Sequence, residues 1–208
     1  MTSAVMDEVQ LTQLIGAMAR NNAAMERDLR GIWDLLAGHQ SLAVALAPTG
    51  TKKLIEQCRR MLLVEHKSVK WARLSDVRRE VALQVLKTAS DADAERDRMV
   101  HRTWYPTDSG TWNRSAFVKS GLTQDSIMAA EVKASVDQAK DAAIRVNFLS
   151  GAIFYLTFDL PSAHDAEHDA EMFWSAARGD YESINGYLAF GKSEPPSGAT
   201  TAAPSPTA

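Results

Sequence analysis

The sequence predicts an all-α fold, a helical bundle with a long first helix and a long penultimate one. Three observations carry that prediction. Over residues 6–37, Leu11, Ile15, Met18, Asn22, Met25, Leu29, Ile32 and Leu36 recur at alternating spacings of four and three, the 3.5-residue stripe of a packed helix. Val132, Val136, Ala139, Ala143, Val146, Ser150 and Ile153 repeat that spacing in the second half of the chain. Hydrophobic residues make up 45% and charged residues 24% of the 208, globular values that allow a real core. The prediction is one helical domain over 1–190. After it, residues 191–208 collapse into Pro, Ser, Thr, Ala and Gly, a tail predicted disordered because it has too little apolar surface to offset its ordering entropy.

The elements follow in order. Residues 6–37 contain no proline and read as one helix, with Trp33 widening its apolar face. Asn22 lies on the seam, where a polar side chain costs stability but can set register or pairing. That helix either serves the bundle core alone or also meets a partner chain. Gly38 and His39 are expected to end it, and a short apolar segment, Leu42 to Leu46, follows. The turn Pro48-Thr49-Gly50-Thr51 leads to a helix from Lys52 to about Val64, with Thr51 as its cap and Leu54, Cys58, Met61 and Leu62 on its face. Lys67 to Arg73 is a basic connector around Trp71, read as a packing residue rather than a base-stacking one. Ser75 is a good N-cap for a helix that begins at Asp76 and buries Val77, Val81, Val85 and Ala89.

Ser90-Asp91-Ala92-Asp93 interrupts this pattern with side chains that bond to nearby backbone. The expectation is a kink there, with Ser90 capping a new helical turn toward Trp104. Tyr105 to Gly121, punctuated by Pro106 and Asp108-Ser109-Gly110, is expected as a short irregular or β-hairpin insert. Thr123 to about Phe158 reads as the long penultimate helix, whose small residues let a neighbour approach closely. Its uncharged stretch, Phe148 to Phe158, is too short to span a bilayer. Pro161-Ser162 starts the last helical section, to about Leu188, with a break near Gly179.

Net charge is −3, so no global basic field announces nucleic acid. The charge is unevenly spread: residues 52–119 carry 15 Lys/Arg against 9 Asp/Glu, while both flanks are acidic. A basic middle suits RNA phosphate, although alternating charged helix faces produce the same surplus. Cys58, the one cysteine, excludes an internal disulfide and reads as a small apolar residue in a reducing compartment. The N-terminal residues lack the basic start and apolar run of a signal peptide, so a cytoplasmic location is expected. Asn113-Arg114-Ser115 matches a glycosylation sequon that has no meaning without secretion.

The stretch that bears chemistry is Glu95-Arg96-Asp97-Arg98-Met99-Val100-His101-Arg102-Thr103-Trp104. On a helix, Asp97 and His101 share a face at i and i+4, so the carboxylate can orient the imidazole. Arg96 lies about 140° round from His101 and must reach back, unless a second chain completes the site. A histidine exchanges protons near neutral pH, and an arginine matches phosphate oxygens with a rigid fork. These are the groups that cleavage of RNA by its own 2′-hydroxyl needs, and neither role calls for a metal or cofactor.

Arg96-Asp97-Arg98-Met99-Val100-His101 resembles the signature of HEPN domains, an Arg followed by a polar residue and then a His after four to six residues. The resemblance covers roughly residues 7–158. It implies an all-α bundle that dimerises, and in many relatives a metal-independent ribonuclease of toxin–antitoxin or phage-defence systems, its cleft shared by two protomers. Carried over, Arg96 grips phosphate, His101 acts as acid/base and Asp97 orients them, while Arg98, Arg102 and Trp104 are candidates to hold substrate. Where relatives often have Gly after the His, this chain has Arg102. An antitoxin or other partner protein is implied, and no membrane. The alternative is a non-catalytic helical oligomer that binds protein or nucleic acid, since some relatives are inactive.

A competing constellation, His164-Asp165-Ala166-Glu167-His168, matches an inverted zinc-peptidase pattern. Little chain remains to supply a third ligand and a cleft. The acidic residues also suit a first helical turn, so a surface helix is the preferred reading.

Overall fold

The computed structural model describes residues 6–37, 50–63, 74–107, 111–118, 121–157 and 163–181, leaving aside the side chains of 116–118, 157 and 163–169. Five helices carry most of these residues: α1 (Glu8–Ala37), α2 (Thr51–Leu63), α3 (Asp76–Val100), α4 (Ala129–Thr157) and α5 (Ala163–Arg178). Between α3 and α4 lies an antiparallel sheet of β1 (Thr103–Pro106), β2 (Trp112–Val118) and β3 (Gly121–Ile127), in the order β1-β2-β3. The chain is therefore mostly helical, with a small sheet where an irregular insert or hairpin was expected. The turn after α1, the connector around Trp71, Pro161-Ser162 and the 191–208 tail lie outside the described residues.

The helices begin where their sequences supply caps. At α1, Asp7 and Gln10 exchange side-chain bonds with each other's backbone N–H, Asp7 Oδ1 accepting at 2.7 Å, a reciprocal cap. Ser75 caps α3 as read, its Oγ accepting from the Arg78 N–H at 3.3 Å. Helix α5 ends at Arg178, and Gly179 after it takes φ +95°. Gly179 N–H donates to the Ala176 carbonyl and Asp180 N–H to that of Ser175, the paired closure that favours glycine at this position.

Two expectations are corrected. There is no break at Ser90: α3 runs on to Val100. The turn-forming carboxylates there bond to cations instead of local backbone, Asp91 to Lys87 at 2.8 Å and Asp93 to Arg96 at 2.7 Å, and Ala89, Ala92 and Asp93 are buried. The penultimate helix also starts later than Thr123. Residues 121–127 pair with β2, placing Arg114 opposite Asp125 and Trp112 opposite Ile127. The helix begins only where the Glu131 carboxylate accepts from the Met128 N–H at 2.6 Å.

The two main apolar cores lie along these helices, beside a minor cluster of Met172 and Ala176 on α5. The larger joins Leu29, Ile32 and Leu36 of α1 with Leu54, Cys58 and Leu62 of α2, Val85, Leu86 and Ala89 of α3, Val146, Leu149 and Ile153 of α4, and Trp174 of α5. Arg78, ion-paired to Glu171, lies over the Trp174 ring at 5.9 Å. The smaller core packs Leu11 and Met18 of α1, Met99 of α3, and Val132 and Val136 of α4 against Trp112 and Ile127 of the sheet. Burial pushes the Cys58 thiol up to about 12, which fits its reading as an apolar core residue. Among the described residues no helix is long and apolar enough to cross a membrane.

Candidate active site

The Arg/His stretch occupies the last turns of α3, next to the smaller core. Met99 is fully buried there and anchors the helix end. His101 is the residue that caps α3, its backbone N–H donating to the Asp97 carbonyl at 3.3 Å. Its side chain is 67% exposed, so the imidazole stands in solvent and not in the core.

Asp97 brings the predicted trio together. Its Oδ1 lies 3.2 Å from Arg96 Nη2 and 3.9 Å from His101 Nε2. The side chains of Arg96 and His101 thus approach one carboxylate oxygen, although their Cα positions point well apart around the helix. Arg96 is only 24% exposed and also pairs with Asp93. It faces Glu26 of α1 closely enough to favour that carboxylate's charged form, a smaller effect there than the hydrogen bond from Arg30, which heads the causes holding Glu26 below its ordinary value.

The three residues expected to hold substrate are placed unequally. Arg98 is exposed and pairs with Glu95 at 3.2 Å. Arg102 bends away from His101 toward β3, where Thr123 Oγ1 lies at 3.3 Å and Asp125 at 3.7 Å. Trp104 is half-buried: its indole N–H donates to the Met99 carbonyl at 2.9 Å and its ring packs on the smaller core. Its role in the described structure is to fix β1 against the end of α3.

Sequence reasoning missed the residues that hold the site in place. Arg114 of β2, whose side chain is 9% exposed, reaches Asp125 at 2.7 Å and Glu95 at 3.4 Å. Glu95 also accepts from Ser135 Oγ of α4 at 3.2 Å. Burial works against the Arg114 charge, but Asp125 and Glu95 outweigh it and raise its affinity for its proton. The same guanidinium holds the Asp125 carboxyl below the usual range. Arg114 therefore ties the sheet to α3, and Glu95 extends the link to α4 through Ser135. Asp93, read as a helix interrupter, lies three residues before Arg96, and that spacing was its signal. Arg114 carried none, since its partners come from distant segments.

Two cavities bordered by described residues lie between α1 and α4, and another lies between the first half of α3, α4 and α5; Arg96, Asp97 and His101 are not among the residues that border them. His101 and Asp97 are exposed, at 67% and 58%, while Arg96 is mostly covered. His164 and His168 fall on the first half of α5, whose side chains lie outside the described residues. Comparison of the chain with protein-family models, curated proteins and solved structures finds no match.

Proposed function

We propose that the end of α3 is a metal-independent endoribonuclease site, completed when two copies bring their Arg96-Asp97-His101 trios together, in a toxin or phage-defence role. The observation that carries this reading is the single oxygen of Asp97 addressed by both Arg96 and His101. His101 takes the proton from the 2′-hydroxyl, whose oxygen attacks phosphorus. The 5′-oxygen leaves with a proton from the second copy's histidine. Arg96 balances the charge that gathers on the phosphoryl oxygens. The products are a cyclic phosphate and a free 5′-hydroxyl.

A specific observation favours the second reading, a non-catalytic helical oligomer that binds protein or nucleic acid. Arg96, Arg98, Arg102 and Arg114 all have carboxylate partners, so the basic surplus of the middle segment is largely neutralised where RNA would have to bind.

Cleavage of a mixed RNA substrate in EDTA separates the two. Wild type should leave cyclic-phosphate ends, and His101→Ala should lose about 100-fold or more of the rate while keeping its fold and mass. Equal inactivity of both proteins across varied RNAs would leave the binding module as the function. Equal activity of both would move the catalytic site elsewhere.

A further inference from the structure

The helices α1 and α4 lie side by side and parallel. Asn147 Nδ2 donates to Asp28 Oδ2 at 3.1 Å, a pair 119 residues apart. Three residues further along each helix, a Cβ built on Gly31 would stand 3.4 Å from Ser150 Oγ. The same offset sets Asn21 level with Lys140. Between the helices a groove of about 600 Å³ opens to solvent, with Ala24, Ala143, Ile144 and Phe148 among its lining residues. That volume is typical of sites for small organic ligands, which are mainly apolar with a few placed polar groups.

The polar groups of the groove divide into two sets. Asp28 is engaged by Arg27 at 3.0 Å and by Asn147, a neutral pair on one wall. Tyr181, which also lines the groove, donates its hydroxyl to Asp141 at 2.6 Å, and burial with that bond pushes the phenol up to about 12. The second set is Asn21 and Lys140, level on opposite helices. Neither has a side-chain hydrogen-bond or ion-pair partner among the described residues. An ammonium and an amide at the same level of two adjacent helices, both bordering an apolar lining, match a single carboxylate on a hydrocarbon.

We propose that this groove binds a small amphipathic monocarboxylate, its chain along Ala24, Ala143 and Ile144 and its carboxylate between Lys140 and Asn21. The site is separate from the Arg/His stretch and does not rest on the ribonuclease reading. The test is calorimetric titration of the full chain with sodium decanoate below its micelle concentration, with decanol as the neutral comparator. Wild type, Lys140→Gln and Ala24→Phe are compared, with folding checked by circular dichroism and mass by light scattering. Decanoate should saturate at one per chain. Lys140→Gln should weaken it about tenfold, the loss of one modest ionic contact, and leave decanol unchanged. Ala24→Phe should remove binding of both. Decanoate that fails to saturate, or binds Lys140→Gln as well as wild type, overturns the proposal. A chain that ignores decanoate but changes its oligomeric mass in Ala24→Phe would assign the groove to a second copy instead.

Discussion

The two ends of the long helices are held by different physics. At one end α1, α2, α3, α4 and α5 share the large core around Leu29, Leu86, Leu149 and Trp174. At the other, the same α1, α3 and α4 meet a small sheet over a short set of apolar residues, and charges do much of the fastening through Arg114, Glu95 and Asp125. Apolar packing is non-directional and scales with buried area, so the first end tolerates conservative change. A charge network is directional and fails when one member is lost. The candidate site belongs to the second end, where a fixed orientation matters more than bulk stability.

The sharpest way to break this comparison is to open a cavity in the large core. Leu29 is fully buried there, so Leu29→Ala should cost about 2–5 kcal/mol. Denaturant melts should show the loss in both ends together, because α1 spans both cores. A melt in which the sheet amides keep full protection while the bundle loosens would show that the ends fold separately.

The intermediate effect comes from the charge network. Arg114→Met removes the charge and keeps most of the volume. Breaking a fully buried pair costs about 3–5 kcal/mol, but Asp125 is 44% exposed and water screens it, so about 1–2 kcal/mol is expected here. Hydrogen exchange should speed in β2 and β3 and stay slow in α2. Acid offers the same test without mutation. Asp125 is held below the ordinary value of 3.8 by Arg114, so its contribution is complete above that value and is lost as pH falls through its lower folded value. Exchange in the sheet should therefore rise below about pH 4 in wild type, and the Asp125 part of that rise should vanish in Arg114→Met. Equal acid sensitivity in both proteins would remove Asp125 from the network.

The same division explains what the sequence made legible. The stripe on α1 is a local, periodic signal: Leu11, Met18, Asn22, Met25, Leu29, Ile32 and Leu36 are buried as their spacing requires, and Ile15 is half-buried. Ser75 was legible as a cap because caps are written in adjacent residues. Asp97 and His101 were legible because i and i+4 on a helix are neighbours by construction. Residues 123–127 were misread as helix because strand pairing is a long-range choice: Asp125 gains Arg114 only once β2 lies beside it. The supposed kink at Ser90 failed for a different reason: Lys87 four residues before Asp91 and Arg96 three residues after Asp93 were readable as helix-face pairs, but the tendency of Asp to bond local backbone was given more weight.

The smallest effect asks whether the two ends communicate. Ser75 caps α3 at the end opposite His101, with a rather long 3.3 Å bond to Arg78, so Ser75→Ala should cost about 0.5–1 kcal/mol, the low side of the range for such caps. The loss should stay local, fraying the first turn, because Val85, Leu86 and Ala89 are locked in the large core between that turn and the site. The check is the imidazole resonance of His101, followed by NMR across its titration in wild type and Ser75→Ala. Superimposable curves mean that the large core insulates the site, and that α3 acts as a rigid post for Arg96, Asp97 and His101. A displaced curve would mean that a change some 25 residues away passes along the helix through that core, and the large core could not be said to insulate the site.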